Sequence, residues 1–414
     1  MCSTALLLLL ALAPVSVVCT LYVSSSQGSD ANAGTSPAAA VQTLARASIL
    51  ANGALHDTSL LLLSGDTFPL STAWFLTGLR NVTISSYGTL QARPRLTRAA
   101  PAAGPTITID NSSSIALQGL EVEGGENGVA FTFDNLAART VFSNFSITDC
   151  FFNAVQGLHY NASSGSWWGA AIAFAARHSG VLVEGVTIAH NLVNGSDVFY
   201  SNSVPYSGFT RAEVVHLTID SNALTHNSYN TLFLDSTSFV DVVNNVFLSN
   251  TPSQLFVAGT TDIIMGTLNS SVRLRGNELS GRGEYQPGGP DGCAIDFETN
   301  ATGVEFSGNY ISRSFGAGIM VFGHVPGSNR DLLLMDNIIL NSGCGQCVHS
   351  ARGRGGRKAG LANSQCTPPT HPLHTLPPLQ DQGRPRRHCL YAPRLLWHAL
   401  WKPVSKPCGL PLPE

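Results

Sequence analysis

A short repeat runs through most of the chain, and it constrains the fold more than any other feature of the sequence. Each copy reads apolar-x-apolar-x-x-Asn-x-apolar, as in VEFSGNYI, where Val304, Phe306 and Ile311 surround Asn309. Copies with asparagine at the central position contain Asn191, Asn222, Asn245, Asn277, Asn309 and Asn337. Two earlier copies keep the apolar frame but have Leu120 or Cys150 in the asparagine position. One structural unit is therefore used many times.

The period of the repeat indicates what that unit is. Successive asparagines are 31, 23, 32, 32 and 28 residues apart, a period typical of stacked supersecondary units. Each copy consists of short strand patterns with no helical pattern between them, so the sequence predicts an all-β fold, a parallel β-helix. Asparagines stacked at strand spacing would hydrogen-bond along the axis. A leucine-rich repeat is the alternative, but its denser leucine pattern and its helix are missing.

The segment before the repeats resembles the N-terminal segment of a known superfamily. Its motifs are Tyr22-Val23, Gly28-Ser29-Asp30, Gly34-Thr35 and Thr43-Leu44 with Ala47. This order is similar to secreted right-handed parallel β-helix proteins of the pectate-lyase-like superfamily, in which a strand leads through such turns to a small capping helix. The resemblance implies a right-handed β-helix over residues 20–345. It leaves the chemistry open, because this fold carries lyases, hydrolases, epimerases and non-catalytic adhesins.

A cap is expected at the N-terminal end for a physical reason. The first coil of a solenoid would otherwise expose its apolar cross-section to water. The segment from Ala38 to Leu50 places Val41, Leu44 and Ile49 among alanines, which predicts an amphipathic helix that covers this end. No matching cap is visible at the C-terminal end of the repeats.

The first residues predict secretion. Residues 1–19 contain an apolar core from Ala5 to Leu12 followed by small residues, which is typical of a signal peptide and too short for a membrane span. Asn-x-Ser/Thr sequons agree with secretion, although some arise by chance in a chain rich in these residues. They are at Asn81, Asn111, Asn144, Asn161, Asn194, Asn269 and Asn300. We expect an extracellular protein without a membrane span.

The last residues differ in composition from the repeats. Residues 346–414 are basic and contain half of the 22 prolines, and proline at this density prevents further ladder strands. Two explanations remain open, which are a disordered basic tail and an error in the gene model such as a retained intron. Before residue 351 the chain has no lysine, and 13 arginines face 24 acidic residues. Such an acidic body is a poor nucleic-acid binder, so we expect no nucleic-acid partner. We expect a monomer.

The stretch DGCAIDFETN contains the candidate catalytic residues. Ile295 and Phe297 alternate with Asp296 and Glu298, so a strand here would point the two acids outward. Their Cα atoms would be about 6.6–7 Å apart, and carboxylates at such separations suit glycoside hydrolysis. The sequence predicts Asp296 and Glu298 as a catalytic pair, one of which keeps its proton at neutral pH, with His324 as a third catalytic candidate. The alternatives are an ordinary solvated strand face and an ordinary loop histidine.

Candidate substrate-binding residues lie on neighbouring coils and loops. Asp235 is expected two coils from the acid pair, about 10 Å away, with Leu255–Val257 in the coil between. Aromatic residues in glycine-rich loops are suited to stacking on sugar rings, and Arg313 adds a positive charge. The aromatic candidates are Trp167, Trp168 and Tyr285. The pattern predicts no metal site.

These residues predict a secreted polysaccharide-active protein, hydrolase before lyase, with a glycan as its partner. A lyase would need Ca²⁺ to neutralise a uronate and a base to take the proton. Without lysine that base would be an arginine, and no dense acidic cluster for Ca²⁺ is visible, so no cofactor is expected for a hydrolase. The candidate bases are Arg273, Arg275, Arg282 and Arg313. The competing hypothesis is a non-catalytic extracellular β-helix that binds glycans or serves a structural or adhesive role.

Overall fold

The structure is a computed structural model of the 414-residue chain. It describes residues 19–53, 56–89, 92–99, 104–134, 140–155, 169–202, 210–226, 231–248, 263–267, 269–280, 293–314, 318–321, 329–342 and 359–360. The predicted signal peptide lies outside these residues except for Cys19, which begins the first strand. The predicted tail also lies outside them, except for Ala359–Gly360.

Among the described residues, the strands form three long sheets that run side by side along one axis. Sheet A contains β1 (Cys19–Val23), β2 (His56–Leu63), β5 (Arg80–Tyr87), β8 (Ser113–Gln118), β11 (Thr140–Thr148), β14 (Val181–Ala189), β18 (Glu213–Asp220), β21 (Thr237–Val243), β24 (Ser270–Arg275), β27 (Thr302–Ser307) and β30 (Arg330–Met335). Sheet B contains β3 (Thr67–Leu70), β6 (Arg95–Arg98), β9 (Glu121–Gly124), β12 (Phe151–Asn153), β15 (Leu192–Asn194), β19 (Ala223–Thr225), β22 (Val246–Leu248), β25 (Glu278–Ser280), β28 (Tyr310–Ser312) and β31 (Ile338–Leu340).

Sheet C completes each coil. Its strands are β4 (Trp74–Thr77), β7 (Pro105–Asp110), β10 (Asn127–Phe133), β13 (Ala170–Ala176), β16 (Val198–Ser201), β20 (Leu232–Leu234), β23 (Ile263–Thr267), β26 (Ile295–Thr299), β29 (Ile319–Val321) and β32 (Ala359–Gly360), with β17 (Thr210–Arg211) beside β13. The chain passes from A to B to C and then to the next strand of A. Only the short strands β17 and β32 pair antiparallel among those described. The fold is the predicted right-handed parallel β-helix.

The interior is filled by columns of apolar side chains, one residue per strand. Ile295, Phe297, Val304, Phe306 and Ile311 are each at most 1% exposed, which confirms their predicted inward orientation. Parallel pairing stacks equivalent residues of successive coils, as in the column Val240–Val272–Val304 of sheet A. These residues alternate with outward positions along each strand, so one continuous core runs along the solenoid axis.

The repeat asparagines form the predicted ladder between sheets A and B. The side-chain amide of Asn277 donates to Oδ1 of Asn309 at 2.9 Å, and Asn309 donates in turn to Asn337 at 3.0 Å. The same contact joins each earlier asparagine to the next, from Asn191 onward. Cys150 occupies the preceding position, and its backbone N–H donates to Oδ1 of Asn191. Each asparagine also satisfies a buried backbone carbonyl, so every coil closes in the same register.

The N-terminal cap is present but begins later than predicted. A 3₁₀ turn covers Pro37–Ala39, Val41 pairs with Val23, and helix α1 spans Leu44–Gly53. The prediction of a buried Ile49 is wrong, because its side chain is 66% exposed. The inner face of α1 instead presents Leu44, Ala47 and Ala51, which are spaced by about one helical turn and are buried. The Trp74 indole N–H donates to the Leu44 carbonyl and to Ser48 Oγ, which holds α1 on the first coils.

Candidate functional site

The strand with the candidate acid pair lies in sheet C, where pairing defines one outward column. Phe233, Ile264, Asp296 and Met320 are successive register partners in β20, β23, β26 and β29. The coil between Asp235 and the acid pair is therefore β23. The prediction that Leu255–Val257 form this coil is wrong, and those residues lie outside the described ones. The connection from Leu248 to Ile263 is longer than the repeat suggests, which moves the strand along the sequence.

Asp296 does not lie on a solvated face. It is only 2% exposed, and Met320 beside it in the next strand is 7% exposed. The sulfur of Met320 contacts Cys293 Sγ at 3.9 Å. Other strands of sheet C are also buried on both their inner and their outer faces, because every residue of β10, β13 and β16 is buried. The expectation that Asp296 lies on an exposed outer face of the strand is therefore wrong. Alternation along a strand distinguishes its inner face from its outer face, but it does not show whether other residues cover the outer face.

The backbone register relates the other carboxylates to Asp296. Leu234 pairs with Met265, and Met265 pairs with Phe297. Asp235 directly follows Leu234, and Glu298 directly follows Phe297, so the two acidic residues lie at equivalent positions two coils apart. This spacing corresponds to about 10 Å, as predicted. Asp235 is 9% exposed, and its backbone N–H donates to Asn202 Oδ1. The Glu298 side chain lies outside what the structure describes.

Several other predicted site residues also lie outside the described residues, namely His324, Trp167, Trp168 and Tyr285. Arg313 is described and lies just after β28 of sheet B. Its side chain is exposed, and its guanidinium donates to Ser280 Oγ at 2.9 Å. The structure therefore places Arg313 at the end of a sheet B strand and not in the column of Asp296.

A second candidate site, which the sequence analysis missed, is a groove of about 580 Å³ on the outer side of sheet A. Two neighbouring columns line it. The first column contains His216, Phe239, Ser271 and Gly303, and the second contains Thr218, Asp241, Arg273 and Glu305. The rings of His216 and Phe239 are stacked, with centroids 5.0 Å apart and an interplanar angle of 16°. Phe239 is 58% exposed, so the groove has an apolar platform open to solvent.

An ion pair lies beside this platform. The Arg273 guanidinium contacts both carboxylate oxygens of Asp241, at 2.6 and 2.5 Å. The hydrogen bond and the negative charge of Asp241 raise the pKa of Arg273, and Glu305 on the next coil adds to this effect. Arg273 therefore stays charged and is positioned by its partner. A base must first lose its proton, so this environment does not support Arg273 as the candidate base of a lyase reaction.

The groove was missed because its residues do not form a motif along the chain. Thr218, Asp241, Arg273 and Glu305 belong to four successive repeats and meet only through strand pairing. Comparing the outward position between the two apolar residues of each repeat would have identified this polar column. The sequence analysis used those repeats only for their inward residues.

Within the ranges that the structure describes, no group of three or more His, Cys, Asp or Glu side chains lies close enough to hold a metal ion. In the same ranges, no helix has the length and apolarity needed to cross a membrane.

Comparisons with known proteins agree with the fold. A family model described as periplasmic copper-binding protein (NosD) matches residues 81–277, just under half of the chain. No curated protein shows significant sequence similarity to the chain.

Two solved structures illustrate the structural similarity. The GH136 lacto-N-biosidase from Eubacterium ramulus aligns with a TM-score of 0.53 at 13% identity, over 78% of this chain and 67% of that chain. The alginate lyase from Paenibacillus sp. str. FPU-7 aligns with a TM-score of 0.46 at 13% identity, over 72% of this chain and 97% of that chain. At such identities the similarity concerns the fold. The chain has a right-handed parallel β-helix fold.

Proposed function

We propose that the protein is a secreted polysaccharide-active protein. It binds a polysaccharide on the sheet C face and hydrolyses its glycosidic bonds. The observation that supports this proposal is the strand register, in which Asp296 and Glu298 belong to β26 and Asp235 directly follows β20, two coils away in the same sheet. Carboxylates held on rigid strands are better positioned for acid–base chemistry than carboxylates on loops. Asp296, which is buried beside Met320, is the candidate general acid of the proposal.

The proposed chemistry uses two carboxyl groups. The buried group, Asp296, would protonate the oxygen of the leaving sugar, and Glu298 would activate water or attack the sugar. Asp235, two coils away, would contact a neighbouring sugar unit. His324 and the aromatic residues Trp167, Trp168 and Tyr285 remain proposed contacts of the substrate.

The test is product analysis with the secreted protein and its Asp296→Asn and Glu298→Gln variants. Purified protein is incubated with a panel of neutral and uronate-containing polysaccharides, and new reducing ends are quantified. The wild type is expected to release reducing ends from at least one polymer, with the rate falling about 100-fold or more in each variant. The matched control is Glu213→Gln, an exposed glutamate on sheet A, which should leave the rate unchanged. Full activity in both amide variants would overturn the assignment of the pair.

The products also distinguish hydrolysis from elimination. A hydrolase gives saturated products, whereas a lyase gives an unsaturated uronate that absorbs ultraviolet light and would show Ca²⁺ dependence. Unsaturated products would contradict the hydrolase proposal while retaining a polysaccharide substrate.

The second candidate function is non-catalytic glycan binding. The exposed aromatic platform on sheet A favours it, because such a platform can hold a sugar without any catalytic acid. Under this alternative, the wild type binds a polymer and releases no product from any member of the panel.

A further inference from the structure

The first column of the sheet A groove lies at a position where the backbone has positive φ. Each strand of sheet A from β2 to β30 has one residue with positive φ, at the same register position. Most coils place a residue there that tolerates this conformation, as with Ser114, Asn144, Gly185, Ser271 and Gly303. His216 and Phe239 are the bulky members of this column, with φ of 56° and 54°. Histidine is among the residues enriched in the left-handed region, whereas a bulky residue such as Phe239 is an outlier there.

The two aromatic residues are not explained by packing into the core. Both are exposed, and Phe239 leaves 58% of its surface in contact with solvent. Phe239 therefore combines an unfavourable backbone conformation with an unfavourable exposed ring. Conformations of this kind concentrate at functional sites, where the strained geometry has a use.

The polar column beside the platform defines what else a ligand would meet. Asp241 and Glu305 lie on either side of Arg273 along the sheet, so the three charges sum to −1. Carboxylate oxygens accept hydrogen bonds and the guanidinium donates them. The platform and this column together match the apolar face and the hydroxyl groups of a sugar ring. A polyanion is disfavoured, because Asp241 already neutralises Arg273.

We propose that the sheet A groove is a second glycan-binding surface, which stacks an uncharged sugar unit on Phe239 and His216 and binds its hydroxyl groups through Asp241, Arg273 and Glu305. This surface lies on a different sheet from Asp296, so it would hold the polymer without taking part in bond cleavage. The inference rests on the proposed function only for the class of ligand.

The test is affinity electrophoresis of the secreted chain in native gels that contain one polymer each. The uncharged probes are galactomannan, xyloglucan and mixed-linkage β-glucan, and the anionic probes are polygalacturonate and alginate. At least one uncharged polymer is expected to retard the wild type. Phe239→Ala is expected to weaken that binding about ten-fold. Phe239→Tyr, which keeps the ring, should retain binding, and Tyr310→Ala, an exposed aromatic residue on sheet B, should bind as the wild type does.

Circular dichroism of each variant separates loss of binding from loss of folding. If Phe239→Ala misfolds, Arg273→Gln provides the second test and should weaken retardation by the same polymer. Binding that is unchanged in both variants, retardation by anionic polymers alone, or no retardation by any polymer would overturn the inference.

The outcome for cleavage is separate. Asp296→Asn should bind in the gel as the wild type does and lose product release. Binding that depends on Phe239 in a protein that cleaves nothing would support the inference and contradict the hydrolase proposal. Cleavage that depends on Asp296, together with binding unaffected by Phe239→Ala, would contradict the inference and support the hydrolase proposal.

Discussion

The two ends of the solenoid differ in how completely their apolar columns are covered. At the N-terminal end, Leu21 is 4% exposed and Val23 is fully buried, with α1 packed over the first coils. At the C-terminal end, the inward residues Leu332, Leu334 and Ile339 are only partly buried. Apolar residues on the outer sides of the last strands are more exposed, with Leu333 at 49%, Ile338 at 54% and Leu340 at 46%.

This difference shows what a repeat does and does not provide. Each coil buries the core side of its neighbour, so an interior coil needs no special sequence. The terminal coils need a different element, and α1 is the single α-helix among the described residues. An apolar residue in the repeat therefore contributes to stability according to its distance from an end, not only according to its type.

The largest expected effect comes from truncating one apolar residue at each end. Leu60→Ala removes a fully buried side chain of β2 and should lower the free energy of unfolding by about 2–5 kcal/mol. Leu334→Ala, at the same inward column in the last strand of sheet A, removes a side chain that is only partly buried and should cost clearly less, about 1–2 kcal/mol. Urea denaturation followed by circular dichroism measures both. Equal losses would mean that the last coil is covered as well as the first.

The asparagine ladder gives a second, smaller contrast. Oδ1 of Asn277 accepts bonds from the backbone and side-chain N–H groups of Asn245, and Asn277→Ala would leave the buried backbone N–H of Asn245 without this acceptor. The expected loss is about 2–4 kcal/mol. Asn337 makes equivalent contacts with Asn309 but is half-buried, so water can replace its oxygen, and Asn337→Ala should cost about 1 kcal/mol. A larger loss at Asn337 than at Asn277, measured in the same urea assay, would contradict this contrast.

The smallest expected effect concerns the start of the cap. Thr43 Oγ1 accepts the backbone N–H of Arg46 at 3.1 Å, as an N-cap residue does, so Thr43→Ala should cost about 1 kcal/mol. The Asp30 carboxylate accepts hydrogen bonds from the backbone N–H and the hydroxyl group of Thr43. Burial acts to raise the pKa of Asp30, but the bonds from Thr43 and Gln42, with the charge of Arg46, lower it overall.

A lowered pKa in the folded state has a definite consequence for stability. The contribution of Asp30 is fully present above its unfolded pKa and is lost as the pH falls through the folded pKa. Between neutral and acidic pH, the wild type should therefore lose slightly more stability than Asp30→Asn, in thermal denaturation measured at each pH. Parallel curves for the two proteins would show that Asp30 does not contribute to the cap.

The inner half of the structure was predictable from local pattern. Val304, Phe306 and Ile311 are inward because a strand alternates, and Asn309 is in the ladder because the repeat places asparagine at the same position of successive coils. The cap was predicted as an element but not in its detail. The backbone reaches Val41 in an extended conformation, so the helix begins at Leu44 and turns Ile49 toward solvent.

The sequence by itself determined the repeat, its inward residues, the asparagine ladder and the presence of Asp296 on the outward side of a strand. These follow from neighbours along the chain and from the two-residue period of a strand. Only the tertiary structure decided that Asp296 is buried and that His216, Phe239, Asp241 and Arg273 meet in one groove. The reason is that coils of unequal length pair side by side, so the contacts between their outer faces depend on which residues the register brings together and on what covers them.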